Sequence, residues 1–137
     1  MKPPVDSVKV SSKGREILIQ AKRHTGLKQW NELLRWAFCL SLANPDRPQI
    51  LRKMDTGIDS IEWQTFAGSS SETYAAAFWL RAMQDRIKLD DQLAVTAYFR
   101  SHIERGIASL RGIKNFKHLL HLVSQMQEDE IIFSKQD

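Results

Sequence analysis

The chain has 137 residues, of which 42% are hydrophobic, and a formal charge of +4 at pH 7, which suits one domain with a core of its own. No apolar run approaches the roughly 20 residues needed to span a bilayer, and the segment from Met1 to Asp6 has no apolar signal core. The single cysteine, Cys39, excludes an internal disulfide, so these features together favour a reducing cytoplasm.

The positive charge is concentrated in the first third of the sequence. Residues 1–53 carry 11 basic and 4 acidic residues, residues 54–127 carry 8 and 8, and residues 128–137 carry 1 and 4. A concentrated basic face attracts phosphate by displacing counterions, whereas a solvated, lysine-rich helix surface would show the same composition. Charge therefore allows nucleic-acid binding without establishing it.

The first predicted elements are a strand and a helix. Residues 5–11 alternate in polarity, with Val8 and Val10 on one side, which predicts a short strand. Ser12 is a suitable N-cap for the helix that follows. Gly26 is expected to end that helix, because glycine adopts the left-handed conformation of a C-cap without strain.

The second helix is predicted from about Gln29 to Leu42. It is apolar almost all round, because Trp36 and Phe38 widen the usual stripe. Such a helix is expected either to lie buried or to face a second subunit. Asn44 and Pro45 are expected to end it.

Residues 45–70 are the least regular part of the sequence. A short second strand is predicted within the stretch from Ile58 to Phe66. Ser69 and Glu72 have the spacing of a capping box, which predicts a third helix from about Ser71 to Ile87.

Two further helices are predicted after it. The fourth is expected to begin at an Asp90 cap and to end before Gly112, with Gly106 inside it at a point of close packing. The fifth is expected over about residues 113–126, and the acidic residues 128–137 are expected to be frayed.

The predicted architecture is mainly α. It is a compact single domain over residues 1–137, with about five helices, a short N-terminal strand and a short second strand. The strand, helix, glycine and helix of residues 5–43 resemble a ribbon-helix-helix unit, in which strands of two chains pair and can sit in the DNA major groove. That resemblance implies that Lys9 faces DNA. A strand with one lysine is poor at reading base edges, so we expect backbone contact more than sequence readout.

Four stretches of the sequence resemble one protein family, in the same order along the chain. They are KRHTGL at 22–27, LLRWAFCLSL at 33–42, WQTFAG at 63–68 and FRSHIERGI at 99–107. With them the chain resembles DndE, the family of DNA sulfur (phosphorothioate) modification proteins. The resemblance implies a homo-oligomer, a tetramer, that binds nicked duplex DNA through a positively charged surface. It also implies that other Dnd proteins supply the ATP-dependent and sulfur-transfer chemistry, in which sulfur replaces a non-bridging phosphate oxygen.

The candidate DNA contacts are basic residues of the first third: Lys9, Lys13, Arg15, Lys22, Arg23, Lys28 and Arg35. Each would pair with a phosphate and add to the salt dependence of binding. The structural alternative is that Arg35 bridges helices and Lys13 only solvates the surface. Trp30, near Lys28 at a helix start, is also a candidate to stack on a base exposed at a nick.

Cys39 is the obvious candidate for sulfur chemistry, which needs an exposed thiolate with a lowered pKa. Its place between Phe38 and Leu40 predicts a buried, inert thiol instead. The tripeptide at 55–57, Asp-Thr-Gly, matches aspartic proteases. Those enzymes need two such aspartates, so one copy among helices predicts a turn.

Two histidine patterns are candidates for metal chemistry. His118 and His121 share a helix face, but neither a cysteine nor an acid joins them at ligand spacing, so no metal site is predicted. His102, Glu104 and Arg105 resemble a nuclease corner with too few carboxylates for a metal-dependent nuclease. The sequence therefore favours a non-enzymatic DNA-binding subunit without metal or cofactor. Two alternatives stay open: a scaffold subunit that touches DNA little, and an enzyme that nicks DNA.

Overall fold

Five long helices and a pair of short strands make up the described chain. The computed structural model describes residues 1–51 and 60–135, and beyond Gln125 it describes the backbone alone. The elements are β1 (Ser7–Lys9), α1 (Ser12–Thr25), α2 (Trp30–Ala43), β2 (Ser60–Glu62), the short α3 (Trp63–Ala67), α4 (Ser71–Gln84), α5 (Gln92–Ser109) and α6 (Phe116–Lys135). The predicted mainly helical fold with a short N-terminal strand and a short second strand is confirmed.

The N-terminal strand β1 pairs with β2 of the same chain. The pairing is antiparallel and places Val8 opposite Ile61. The strand-helix-helix order of residues 5–43 is present, but the partner strand comes from this chain and not from a second one as in a ribbon-helix-helix pair. The reason lies just after β2, where the buried Trp63 donates its backbone N–H to the Asp6 carbonyl at 2.9 Å and holds β2 against β1.

Both ends of α1 are capped within the chain. Ser11 is the N-cap, one residue before the predicted Ser12, and its hydroxyl accepts a hydrogen bond from the Gly14 N–H at 2.9 Å. Glu104 of α5 selects Ser11, because its carboxylate accepts from the Ser11 N–H at 2.8 Å and from the Ser11 hydroxyl at 2.9 Å. Gly26 ends the helix as predicted, with a φ of 75°.

The apolar helix α2 lies at the centre of the fold, which confirms the first of the two explanations for its composition. It packs along α5, and Gly106 lies against Ala37 so closely that a Cβ at position 106 would be 1.8 Å from the Ala37 carbonyl oxygen. The close packing predicted at Gly106 is therefore confirmed. The buried residues of α2 are Leu33, Leu34, Ala37, Phe38, Leu40 and Ser41.

Helix α4 begins at Ser71 as predicted, but without the predicted capping box. A 3-10 turn over Gly68–Ser70 runs straight into α4. The backbone there is already turned, whereas the predicted capping box of Ser69 and Glu72 needs an extended cap residue. Gly68 makes this turn accessible with a φ of 61°. A continuous turn therefore replaces the reciprocal cap.

The last two helices begin close to their predicted positions. Asp91, one residue after the predicted Asp90, caps α5 by accepting from the Leu93 N–H at 3.1 Å. Helix α6 spans Phe116–Lys135, so its backbone is helical into the segment 128–137, for which fraying was predicted. Among the described helices, none is long and apolar enough to cross a membrane.

An aromatic cluster joins α2 to the helices around it. The ring centroid of Phe38 lies 5.7 Å from that of Phe66 in α3 and 5.6 Å from that of Phe99 in α5. Phe99 in turn lies 5.9 Å from Trp63 and 5.5 Å from Phe78 of α4. Each such pair adds about 0.5–1.5 kcal/mol beyond its burial. The cluster therefore holds α3, α4 and α5 in fixed positions against α2.

Candidate nucleic-acid interface

The connection between α1 and α2 forms a basic groove. Gly26 donates its N–H to the Lys22 carbonyl at 3.2 Å and, in its left-handed conformation, reverses the chain. The reversal brings the last turn of α1 beside the first residues of α2. The resulting groove of about 580 Å³, which we call the turn groove, is lined by Ile19, Lys22, Arg23, Gly26, Leu27, Lys28 and Trp30.

Three of the predicted DNA contacts converge on the turn groove, and its lining includes no acid. Lys22, Arg23 and Lys28 are exposed, and none of them pairs with a carboxylate in the part of the chain that the structure describes. Their charged groups are therefore available to phosphates. Lys22 and Arg23 also offset the negative end of the α1 dipole, by about 0.3–1 kcal/mol each.

Trp30 adds an aromatic side to the turn groove. It is the first residue of α2, is half-buried, and packs against the hydrophobic core while lining the groove. An anchored indole beside three cations has the chemistry of a stacking platform for nucleic-acid bases. Trp30 was a candidate for this role from the sequence, because it lies near Lys28 at a helix start.

Three of the remaining predicted contacts, Lys9, Arg15 and Arg35, do not line the turn groove. Lys9 is half-buried and lies opposite Ser60 in the two-stranded sheet. Arg15 is exposed on α1 and makes an interaction of its own within the chain. Arg35 is half-buried, and its Nη1 donates to the Phe66 carbonyl at 3.0 Å. Arg35 therefore bridges α2 to α3, as the structural alternative expected.

Lys13 lines a second groove, on the other flank of α1. Positions 13 and 22 lie about 180° apart around a helix of 3.6 residues per turn, and the two grooves share no lining residue. This second groove, the flank groove, has a volume of about 770 Å³ and is lined by Lys13, Glu16, Ile17, Gln20, Ala21, His24, Leu110, Arg111, Gly112, Ile113 and Lys114. The seven predicted cations therefore do not form one surface.

Arg111 and Lys114 are exposed cations that the sequence did not single out. They fall in the stretch 54–127, whose balanced charge concealed them when charge was counted by segment. The sequence feature that could have identified them is Gly112, which lies between them. Its φ of 78° marks a tight connection between α5 and α6, where flanking side chains lie at the surface.

Cys39 is exposed, which corrects the prediction of a buried thiol. The residues on either side of it are buried, but a helix turns about 100° per residue and carries this side chain out of the core. It lines a groove of about 410 Å³ together with Trp36 and Tyr74. Desolvation raises the pKa of the thiol and outweighs the lowering effects of Tyr74 and Arg35. The thiol is therefore protonated at neutral pH and is not activated as a nucleophile.

The three residues weighed as a nuclease corner hold the fold together. His102 is fully buried, and its Nδ1 lies 2.8 Å from the Ser41 hydroxyl of α2. The Arg105 guanidinium donates to the same hydroxyl at 2.9 Å and to the Ser41 carbonyl at 2.7 Å. Glu104 caps the start of α1. Burial, helped by the charges of Arg105 and Arg81, lowers the pKa of His102 to about 3, so its ring is neutral near pH 7.

Arg81 of α4 completes this arrangement at the C-terminal end of α2. Its Nη1 donates to the Leu42 carbonyl and its Nη2 to the Asp46 carbonyl, both at 2.8 Å. Its Nε pairs with the Asp85 carboxylate at 3.0 Å, and the Tyr98 hydroxyl donates to the same carboxylate. Burial alone would raise the pKa of Asp85, but the Tyr98 hydrogen bond and the Arg81 charge lower it.

We call this set the α2 terminal network, and its side chains are Ser41, Arg81, Asp85, Tyr98, His102 and Arg105. Sequence reasoning missed it as a unit, because its members come from α2, from α5 and from the end of α4, and local spacing relates only those members that lie close together in the chain. Ser41, Arg81 and Arg105 are engaged in hydrogen bonds that join α5 and α4 to the end of α2, whereas the buried Nε2 of His102 has no hydrogen-bond partner.

The two histidines that are left as metal candidates lie on α6. His118 accepts the Lys114 N–H on its Nδ1 at 3.3 Å, and His121 is exposed. Over residues 1–51 and 60–125, no group of three or more His, Cys, Asp or Glu side chains is placed to hold a metal ion. The tripeptide at 55–57 lies outside the described residues.

Comparisons with known proteins point to the family that the four sequence stretches resemble. The family model of the DNA sulphur modification protein DndE matches residues 7–118. A search of curated proteins found no match. Among solved structures, the fold is similar to the crystal structure of DndE from Escherichia coli B7A involved in DNA phosphorothioation modification. The TM-score is 0.59 at 23% sequence identity, over 78% of this chain and 98% of that one. That structural likeness shows the fold, whereas the family match extends over most of the sequence. The chain therefore belongs to the DndE family of DNA sulphur modification proteins.

Proposed function

We propose that this protein is a DNA-binding, non-catalytic subunit of the machinery that places sulfur in the DNA backbone, and that it binds nicked duplex DNA through the turn groove. The observation that carries the proposal is the turn groove itself, with three exposed cations and an indole and no acid in its lining. Membership of a DNA sulphur modification family supports it, because the substrate of that modification is DNA.

The cations of the turn groove set the expected mode of binding. Each neutralised phosphate contributes about −0.9 to the slope of log affinity against log salt. Lys22, Arg23 and Lys28 together would then contribute about −2.7 to that slope. Phosphate contacts position a duplex without reading its sequence, so we expect little sequence preference from this surface.

Trp30 provides a physical reason for a preference for nicks. In an intact duplex the base faces are occupied by stacking, whereas a nick lets the strand end open and expose a base face. Stacking of a base on an aromatic side chain contributes about 1–3 kcal/mol in single-strand binders. A half-buried indole at the edge of a basic groove would add that free energy for the nicked duplex alone.

The proposed setting is a cytoplasmic complex. We expect a homo-oligomer, a tetramer, that works with the other Dnd proteins, which supply the ATP-dependent and sulfur-transfer steps. Large exposed apolar side chains are available for such contacts on α4 and at the start of α5. Leu80, Met83 and Leu93 are 59%, 61% and 84% exposed.

The same apolar side chains favour a second candidate function, that of a scaffold. In this alternative the protein holds the modification enzymes together and touches DNA little. It predicts a stable complex with those enzymes that survives neutralisation of the turn groove, since apolar contacts are insensitive to the loss of lysine and arginine charge.

The test is the binding of the purified protein to nicked and intact duplexes of identical sequence over a salt series. The variant Lys22→Gln/Arg23→Gln/Lys28→Gln should bind both duplexes more weakly, and its salt slope should be shallower by about 2.7. The matched control Lys2→Gln/Lys88→Gln/Lys117→Gln removes the same charge from exposed positions outside both grooves. The control should keep most of the affinity and most of the slope.

Three outcomes would count against the proposal. Equal losses in the two variants would mean that net charge, and not the turn groove, governs binding. No binding to either duplex at low salt would reject DNA contact and leave the scaffold ahead. Strand breakage that requires a divalent ion would make the protein a nicking enzyme.

A further inference from the structure

We propose that the flank groove is a binding site for a nucleoside phosphate, separate from the turn groove. One wall is a single face of α1, which carries Lys13, Ile17, Gln20, Ala21 and His24 at helical spacing. The other wall is the connection from α5 to α6, over residues 110–114. The volume of about 770 Å³ lies within the range of roughly 300–1,000 Å³ typical of small-molecule sites.

The inner part of the flank groove is apolar. Ala21, Leu110 and Ile113 are buried, and Ile17 is half-buried. They come from both walls, so the floor of the groove between the two elements is largely apolar. A floor of this kind favours a ligand with a flat or apolar body, because its surface leaves water on binding. A bare inorganic anion would leave the floor unused.

The rim of the flank groove is cationic on both sides. Lys13 extends from α1, and Arg111 and Lys114 extend from the opposite wall. All three are exposed, and none pairs with a carboxylate within the described ranges. Glu16 is the single acid of the lining, so the cations exceed the acids by two. Cations on facing walls favour one compact, strongly charged anion, and a guanidinium is suited to bidentate contact with phosphate.

The remaining polar side chains complete the match to a nucleoside. Gln20 and His24 lie along the α1 wall, and both present groups that donate or accept hydrogen bonds to a base edge. Glu16 can accept from sugar hydroxyls and disfavours a second anion beside the first. A phosphate, a sugar and a flat base together would use the rim, the polar wall and the floor, which no simpler ligand does.

The α5–α6 wall is built by its own backbone. The Arg111 N–H donates to the Ala108 carbonyl and the Ile113 N–H to the Leu110 carbonyl, both at 3.2 Å. Gly112 has a φ of 78°, which turns the chain between the two cations of this wall. A wall that is ordered before binding loses little conformational entropy when a ligand arrives.

Titration calorimetry of the full chain tests the proposal with three probes: deoxyadenosine monophosphate, deoxyadenosine and inorganic phosphate. The monophosphate should bind, and each of the other two should bind at least about tenfold more weakly, because each lacks one half of the contacts. Arg111→Gln/Lys114→Gln should weaken monophosphate binding by about tenfold for each lost charge-assisted contact. The matched control Lys2→Gln/Lys117→Gln removes the same charge from exposed positions outside both grooves and should leave it within about twofold.

Oligonucleotides then distinguish the source of the ligand. A short single strand with a 5′-phosphate that displaces the monophosphate, when the unphosphorylated strand does not, would make the ligand a strand end. Displacement by mononucleotides alone would make it a free nucleotide. Both results support the flank groove as a nucleoside phosphate site.

Other results would overturn the inference. No heat from the monophosphate at millimolar concentration, or an equal loss in the two variants, would reject the site. Failure of the turn groove to bind DNA would leave this result unchanged, because the probes contain no duplex and neither Arg111 nor Lys114 lines the turn groove.

Discussion

The last backbone carbonyls of α1 and of α2 have no partners within their own helices, and the two helix ends satisfy them differently. At the end of α1, Gly26 donates its N–H to the Lys22 carbonyl, so the backbone satisfies part of its own last turn and the side chains of Lys22 and Arg23 stay exposed. At the end of α2, Arg81 and Arg105 donate to the free carbonyls of the last turn and the loop that follows. The cations at the end of α1 therefore remain available to a partner, whereas those at the end of α2 are used to hold the fold together.

The two ends also differ in burial, and burial decides what a lost charge costs. The Arg81 side chain is 10% exposed and bonded through its three nitrogen atoms, whereas Arg23 is exposed without a carboxylate partner in the described chain. Removal of a buried, bonded cation leaves its acceptors unsatisfied, whereas exposed cations contribute little to stability. Charge counted along the sequence cannot separate these two classes of arginine.

The largest loss of stability is expected from a substitution that prevents α5 from packing closely against α2. Gly106→Ala should lower the free energy of unfolding by more than about 4 kcal/mol or prevent folding, because the added Cβ would lie 1.8 Å from the Ala37 carbonyl oxygen. Urea unfolding followed by circular dichroism measures the loss. Ala108→Ser, at an exposed position on the same helix, is the control. A similar small loss in both variants would mean that the helices need not approach so closely.

The next largest effect is the difference in stability between two arginine variants, one at Arg81 beside the end of α2 and one at Arg23 at the end of α1. Arg81→Leu should lower the free energy of unfolding by about 3–4 kcal/mol, because it removes one hydrogen-bond donor each from the Leu42 carbonyl, the Asp46 carbonyl and the Asp85 carboxylate. Arg23→Gln should change it by less than about 0.5 kcal/mol. Urea unfolding of the two variants under one condition gives the comparison. Equal losses would show that the turn groove is as structural as the α2 terminal network.

Low pH should lower the free energy of unfolding through the protonation of His102, which lies beside the end of α2. Burial lowers the pKa of this ring in the folded chain from 6.5 to about 3, so below pH 6.5 the unfolded chain binds the proton first. Stability is therefore complete above pH 6.5 and falls as the pH drops toward 3, by up to about 1.4 kcal/mol per pH unit. Urea unfolding over a pH series measures this slope. His102→Asn keeps a polar group near Ser41 without a proton to gain, so its slope should be flatter; an unchanged slope would assign acid sensitivity to other groups.

Much of the helical fold followed from local patterns in the sequence. Gly26 was predicted as a helix end because a left-handed turn favours glycine, and Gly106 was predicted as a close contact because it lacks a side chain. That Ser11 and not Ser12 is the cap could not be predicted, because the hydrogen bonds that hold Ser11 in place come from Glu104, 93 positions away. Local chemistry predicts where a helix can end, and distant partners select the residue.

The candidate site was less accessible to sequence reasoning. Counting charge by segment grouped Lys13 with Lys22, although the helix places them on opposite flanks of α1. It also separated Lys13 from Arg111 and Lys114, which join it in the flank groove. Periodicity predicts which residues share one helix face, but the assignment of cations to grooves depends on tertiary packing between distant segments.

The smallest effect tests whether the turn groove differs from other basic surfaces by more than charge. Trp30→Leu keeps an apolar side chain against the core but removes the stacking surface, so the ratio of nicked to intact affinity should fall by about tenfold. The salt slope should stay the same, because no charge is lost. Fluorescence anisotropy with both duplexes and one protein preparation measures the ratio, which is insensitive to any unfolded fraction. The contrary outcome is a ratio that stays constant while the Lys22, Arg23 and Lys28 variant loses affinity for both duplexes. In that case the turn groove binds phosphate, and the preference for nicks arises on another surface.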